Sequence, residues 1–201
     1  MKRVTPFAAV TVALALAGTA VAQSPAPTRI RGDIVSATGD TLVVHRQRGD
    51  TLTLSLAPKA QVSAVRKIAI SEIKAGSFIG TAATDANGNL TAQEVVVFPE
   101  SERGTGEGHY AWDLGPKSTM TNGNVDAVVK STDGQHLRLS FKGGSNTVTV
   151  PPNVPIVTFV AATRADLVAG KKVFVIATEG ADKHLVAQRV VVEKDGVAPP
   201  M

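Results

Sequence analysis

His109, Tyr110, Trp112 and Asp113 fall within five positions and form the densest group of chemically capable side chains in this 201-residue sequence, which has one Trp and one Tyr. An indole and a phenol at this spacing can stack on a ligand such as a sugar or a peptide, or dock their segment against a neighbouring surface through large contact area. An imidazole and a carboxylate can also ligate a metal, with Glu107 and Met120 as further donors. Zinc sites usually gather several His or Cys at defined spacing. One His with scattered carboxylates falls short of that, so no metal is assigned and His109 and Asp113 stand only as weak candidates.

The neighbouring Gly104-Thr105-Gly106-Glu107-Gly108 run lacks the strand before it and the helix after it that a dinucleotide fingerprint requires, and reads as a turn. The other histidines are isolated. Alternation turns Leu42 and Val44 inward and His45 outward, and Leu137 and Leu139 likewise turn His136 outward. His184 lies beside a hairpin turn. No Gly-x-Ser-x-Gly elbow, His-Glu-x-x-His helix or phosphate loop is present. No catalytic residue and no cofactor is therefore assigned.

The elements that must position the His109–Asp113 group are strands. Ile30–Val35, Thr41–His45 and Thr51–Leu56 alternate apolar and polar residues around the turns Thr38-Gly39-Asp40 and Arg48-Gly49-Asp50, as a meander of half-buried strands does. Gly123–Val128, Leu137–Phe141 and Thr147–Val150 repeat the pattern. Proline follows both third strands, at Pro58 and at Pro151-Pro152, and is expected to end the ladder there.

Each half continues with one short helical turn. Ser71 and Thr163 are the expected N-caps, and Gly76 and Gly170 the left-handed closing residues. A hairpin completes each half, its last strand reading Leu90-Thr91-Ala92-Gln93-Glu94-Val95-Val96-Val97 in one copy and Leu185-Val186-Ala187-Gln188-Arg189-Val190-Val191-Val192 in the other.

This order predicts an all-β fold: two tandem five-stranded OB-like β-barrel repeats, each with a short helix between strands 3 and 4. The boundaries are a signal peptide over 1–22, a Pro-containing disordered leader over 23–28, repeat 1 over 29–98, a Gly-rich linker with Tyr and Trp over 99–118, repeat 2 over 119–194, and a flexible tail over 195–201. Local pattern leaves open whether the halves close as separate barrels or pair into one sheet.

Met1-Lys2-Arg3, the apolar run Phe7–Gly18 and the small residues up to Ala22 have the form of a secretory signal cleaved before Gln23. The run is shorter than the roughly 20 apolar residues a membrane span needs, and no later stretch is long enough. A formal charge of +4 falls to +2 once Lys2 and Arg3 are removed, which is too small a balance to imply a polyanion partner. The outward residues expected on strands two and three of the first half are Val43, His45, Thr51, Thr53 and Ser55. None is an aromatic platform for single-stranded nucleic acid. The chain has no cysteine, so its stability must come from packed cores.

Arg31-Gly32-Asp33-Ile34-Val35, the turn Gly39-Asp40-Thr41-Leu42 and Ile73-Lys74-Ala75-Gly76-Ser77-Phe78-Ile79 resemble a widespread secreted bacterial domain family of unknown function, whose members are thought to form small OB-like barrels. Chains of this type with a centre like Gly106-Glu107-Gly108-His109 are sometimes labelled metal-transport permeases. The resemblance implies a fold rather than an activity. The expected function is that of an exported, periplasmic or secreted, non-enzymatic binding or accessory module of the cell envelope, with a small molecule or an envelope protein as partner and no nucleic acid. The alternatives are a periplasmic metal-binding accessory of metal transport and a hydrolase with its site between the repeats. If the export reading holds, intact-mass analysis of protein recovered from the cell envelope should show an N-terminus at Gln23; a chain retaining residues 1–22 would overturn it.

Overall fold

A computed structural model describes residues 27–132, 134–180 and 182–200. The expected signal peptide and residues 23–26 of the leader lie outside the described residues. The chain is all-β, and the described residues form twelve strands in one hydrogen-bonded network: β1 (Thr28–Thr38), β2 (Thr41–Arg46), β3 (Thr51–Lys67), β4 (Phe78–Ala86), β5 (Asn89–Val97), β6 (Gly108–Ala111), β7 (Ser118–Ser131), β8 (Gly134–Phe141), β9 (Gly144–Val150), β10 (Ile156–Ala161), β11 (Lys172–Glu179) and β12 (Leu185–Val192).

Five strands close a barrel, in the order β1–β2–β3–β12–β11 and back to β1. All neighbours are antiparallel except β3 and β12, which run parallel. β7–β8–β9–β5–β4 form a second ring of the same order, its parallel junction being the short β5–β9 contact at Leu90↔Val148 and Thr91↔Thr149. The expected tandem arrangement, with 29–98 and 119–194 each closing on itself, is not what the pairing shows. Each meander is closed by the hairpin from the other half of the chain.

The length of β3 gives the physical reason. At about 3.3 Å per residue, its 17 residues extend some 55 Å, far more than one small barrel uses. Its first part pairs with β2 and β12, and its end, Ser63–Lys67, pairs antiparallel with Val157–Ala161 of β10. These two segments carry the chain between barrels in opposite directions. Pro58 does not end β3, contrary to expectation. β2 pairing stops at Ser55, and the β12 register jumps from Leu56 to Gln61, so Pro58 sits in an irregularity where its missing N–H breaks no ladder bond.

The expected short helices are single 3-10 turns of three residues, Ile70–Glu72 and Arg164–Asp166. Thr163 is the N-cap of the second, its N–H donating to Asp166 Oδ2 at 2.8 Å. The first is capped from Ala69 rather than Ser71, and the Ala69 N–H donates to Glu72 Oε1 at 2.9 Å. Gly76 and Gly170 have φ of +86° and +84°, as their closing role requires. The turns take part in the exchange: Ile70 and Ile73 pack into the second barrel, and Leu167 packs into the first.

Both barrel interiors are aliphatic, built on Ile30, Ile34, Leu42, Val44, Leu54 and Val175 in one and on Ile79, Val95, Val125, Leu137, Leu139 and Val148 in the other. A third core lies between the barrels and includes Val65, Val96, Phe159, Phe174 and Val191. The expected 99–118 linker contains a 3-10 turn at Glu100–Glu102 and the whole of β6. Val197 packs against the third core, so the expected tail is anchored near its start.

Gly32 lies on β1 opposite Arg46 of β2. A Cβ there would stand 2.1 Å from the His45 carbonyl oxygen, a backbone atom with little freedom to move. Gly32→Ala should therefore lower stability by about 3 kcal/mol, the upper end of overpacking costs. Gly39→Asn should be nearly neutral, because Gly39 sits in open space at φ +58°, where Asn is tolerated. Chemical denaturation of both variants checks the pair.

Candidate functional site

β6 runs antiparallel to β7, with His109 opposite Thr121 and Tyr110 opposite Met120. Strand alternation then divides the predicted group. Tyr110 and, just beyond the strand, Trp112 face the third core, while His109 turns to the opposite face. There the His109 Nδ1 lies 2.8 Å from Thr121 Oγ1 and 3.0 Å from Asn146 Nδ2, and the ring stacks on Phe141. The structure thus brings Tyr110 and Trp112 together, 6.1 Å between ring centroids, and sets His109 apart from them and from Asp113. Among the described residues no group of three or more His, Cys, Asp or Glu could hold a metal ion.

Six of the seven aromatic residues described collect between the barrels. Phe98 touches Phe78 and Phe159, each at 5.4 Å between centroids, and Phe174, Tyr110 and Trp112 complete the group. Arginines lie over the rings: Arg29 is 3.8 Å from the Trp112 centroid, Arg31 is 5.0 Å from that of Phe174, and Arg189 is 4.6 Å from that of Phe159. These cation–π contacts hold guanidinium groups beside an apolar surface.

The group surrounds a cavity of about 200 Å³ walled by Phe98, Tyr110, Trp112, Phe159 and Phe174, with Val96, Met120, Asn122 and Arg29 among its other contacts. An asymmetry between the barrels accounts for the space. Arg31 is paired with Phe174 in the first, and Asn122 with Gly80 in the second. These pairs occupy matching places in the two rings, so a glycine stands where the first barrel presents a phenyl ring. The Asn122 Nδ2 donates to the Thr105 carbonyl at 3.0 Å, tying the glycine-rich turn across the cavity. Burial raises the Tyr110 pKa above its usual range, partly offset by the charge of Arg29.

Asp113 leaves the cavity side and accepts two hydrogen bonds from Arg31, at 3.0 and 2.9 Å. Burial alone would raise its pKa, but the Arg31 hydrogen bonds and the charges of Arg31 and Arg29 hold it below the ordinary carboxylate range. Arg31 also bears on Glu94, which is 1% exposed and has no hydrogen-bond partner on either carboxylate oxygen. Burial pushes the Glu94 pKa up to about 8; Arg31 opposes the shift and Asp113 adds to it.

Sequence reasoning missed Glu94 because strict alternation from Leu90 and Ala92 would point it into the barrel. The β4–β5 register shift between Ala82 and Ala83 resets the faces. Val95 takes the interior and Glu94 the interface. One signal was available, since Glu94 and Arg189 hold the same place in the two last strands and each interrupts an apolar run. Arg189 is ion-paired with Glu102.

Comparison of the chain with protein-family models, with curated proteins and with solved structures gives no match in any of the three.

Glu94 makes stability depend on pH in a definite direction. Its folded pKa, about 8, lies above the ordinary 4.5, so between those values the native state holds a proton that the unfolded chain releases. Stability should fall by up to about 1.4 kcal/mol per pH unit as pH rises through that window, and level off above it. Glu94→Gln should flatten the decline in urea midpoints measured from pH 5 to 8.5. A wild-type profile without that decline would show that Glu94 is not held protonated.

Proposed function

We propose that this chain is an exported, non-enzymatic binding or accessory module of the cell envelope whose ligand enters the cavity between the barrels. The observation that carries the reading is the gathering of five aromatic rings around that cavity while both barrel interiors stay aliphatic. Aliphatic side chains alone fill the barrels, so aromatic residues are not needed there to make a core. Ligand pockets are commonly apolar and aromatic with a few polar groups, and they favour interfaces between structural units. The ring order, with a parallel third and fifth strand, supports the OB-like reading of each barrel.

The hydrolase alternative would place its chemistry on Glu94 and Asp113, whose pKa values are driven apart in the way acid–base pairs require. Both Glu94 oxygens are sealed from solvent, so a substrate has no access to them in this conformation. The metal-accessory alternative gains no support from His109 and Asp113, which face different ways.

Trp112, as the only indole, reports on the site directly. Its emission in the folded protein should be shifted to the blue of the value in water, and it should respond to 2-phenylethanol as a neutral, ring-sized probe. Val96→Phe, which fills the cavity, should abolish that response with the far-UV circular dichroism unchanged. A water-like emission maximum, or an equal response in the filled variant, would remove the cavity as the binding site.

A further inference from the structure

The cavity has a neighbour of opposite character. On the far side of Arg29, a cleft of about 260 Å³ is lined by Arg29, Arg31, Arg46, Arg48, Gln47 and Leu114, with Asp113 at its edge. Two strand ends and one turn bring these guanidinium groups together. Arg29 and Arg31 alternate outward along β1, β1 pairs with β2 so that Gly32 lies opposite Arg46, and Arg48 sits in the turn between β2 and β3.

Two of the four arginines are neutralised locally: Arg31 by Asp113 and Arg46 by Asp50. Among the described residues, Arg29 and Arg48 have no carboxylate within ion-pair distance. The cleft therefore sets four guanidinium groups against two carboxylates, Asp113 and Asp50, on which Arg29 and Arg48 also act through charge, and an excess of two positive charges remains. Arg29 belongs to both spaces, and its guanidinium lies 3.8 Å from the Trp112 ring centroid. A guanidinium stacked on an aromatic face still presents its N–H donors outward at its edge, in the fork geometry that suits a carboxylate or phosphate.

Resting on the reading of the cavity as the binding site, we infer that the ligand is a small amphipathic anion. Its single-ring or similarly compact apolar part occupies the aromatic cavity, and its carboxylate or phosphate is held by Arg29 and Arg48. The sizes agree with this division, since a cavity of about 150 Å³ already admits benzene. The charges agree as well. A neutral ligand would leave the excess positive charge of the cleft unbalanced, and an anion without an apolar part would leave the aromatic walls unused. Trp112 and Asp113, adjacent in sequence, serve the two halves in different ways: the indole walls the cavity, and the carboxylate keeps Arg31 in place beside the cleft.

The test is calorimetric titration of the purified mature protein with five probes: phenylacetate, phenyl phosphate, 2-phenylethanol, acetate and inorganic phosphate. Both aryl anions should bind at least ten times more tightly than 2-phenylethanol, acetate or inorganic phosphate, and added sodium chloride should reduce that margin. Arg29→Gln should remove most of the margin between the aryl anions and 2-phenylethanol. Arg48→Gln, at an exposed turn position, should reduce it in the same direction and guards against a folding defect in the first variant.

Aryl anions binding no better than 2-phenylethanol, or a margin untouched by both variants, would overturn the anion inference and leave the cavity reading standing. Inorganic phosphate binding as tightly as phenyl phosphate would show that the apolar half contributes nothing, and would overturn it too. Failure of all three aryl probes would bring down both readings together.

Discussion

A three-stranded meander has two open edges, and the structure follows from how those edges are closed. Unpaired edge N–H and C=O groups must find partners or water. Here each meander is closed by a hairpin that arrives from the other half of the chain, antiparallel to its first strand and parallel to its third. The second barrel is therefore inserted in sequence between the two parts of the first. The first ring needs strands from both ends of the sequence, whereas the second is built from the contiguous stretch between β4 and β9, and the crossing segments of β3 and β10 pair with each other between them.

The paired crossing segments bring the outer faces of the two barrels together, and the third core lies there. Residues that would be solvated on an isolated barrel, such as Phe174 and Val191 on one and Val96 on the other, become buried. The two contributing surfaces are not equivalent. Phe174 fills its place on one barrel, while Gly80 leaves the matching place on the other to Phe98 and Asn122. The cavity is thus built into the pairing register, with the Thr105-Gly106 turn closing one side.

Glu94 shows what this interface tolerates. A buried carboxylate without a partner destabilises a fold by its desolvation, and protonation is the cheaper state. Nearby Arg31 is already engaged with Asp113 and only partly offsets the penalty. Functional regions are often where such local costs persist, and Glu94, Arg31 and Trp112 lie on the same side of the interface as the proposed ligand site.

Much of this was legible locally. Leu42, Val44, Leu137 and Leu139 are fully buried as alternation required, and His45 is exposed. Gly76, Gly170 and Thr163 end or cap their turns as read. Side-chain period and turn chemistry depend on neighbours a few residues away, so a sequence determines them by itself. What it could not determine was which meander each hairpin would close. The two hairpins have closely similar last strands, and the pairing observed goes with the reach of β3 and its pairing with β10. The fate of the His109–Asp113 group followed from that choice. Four neighbours in sequence were separated because one strand, pairing with β7, turned Tyr110 toward the interface and His109 away from it, and because a register shift moved Glu94 out of the second barrel into the place beside them.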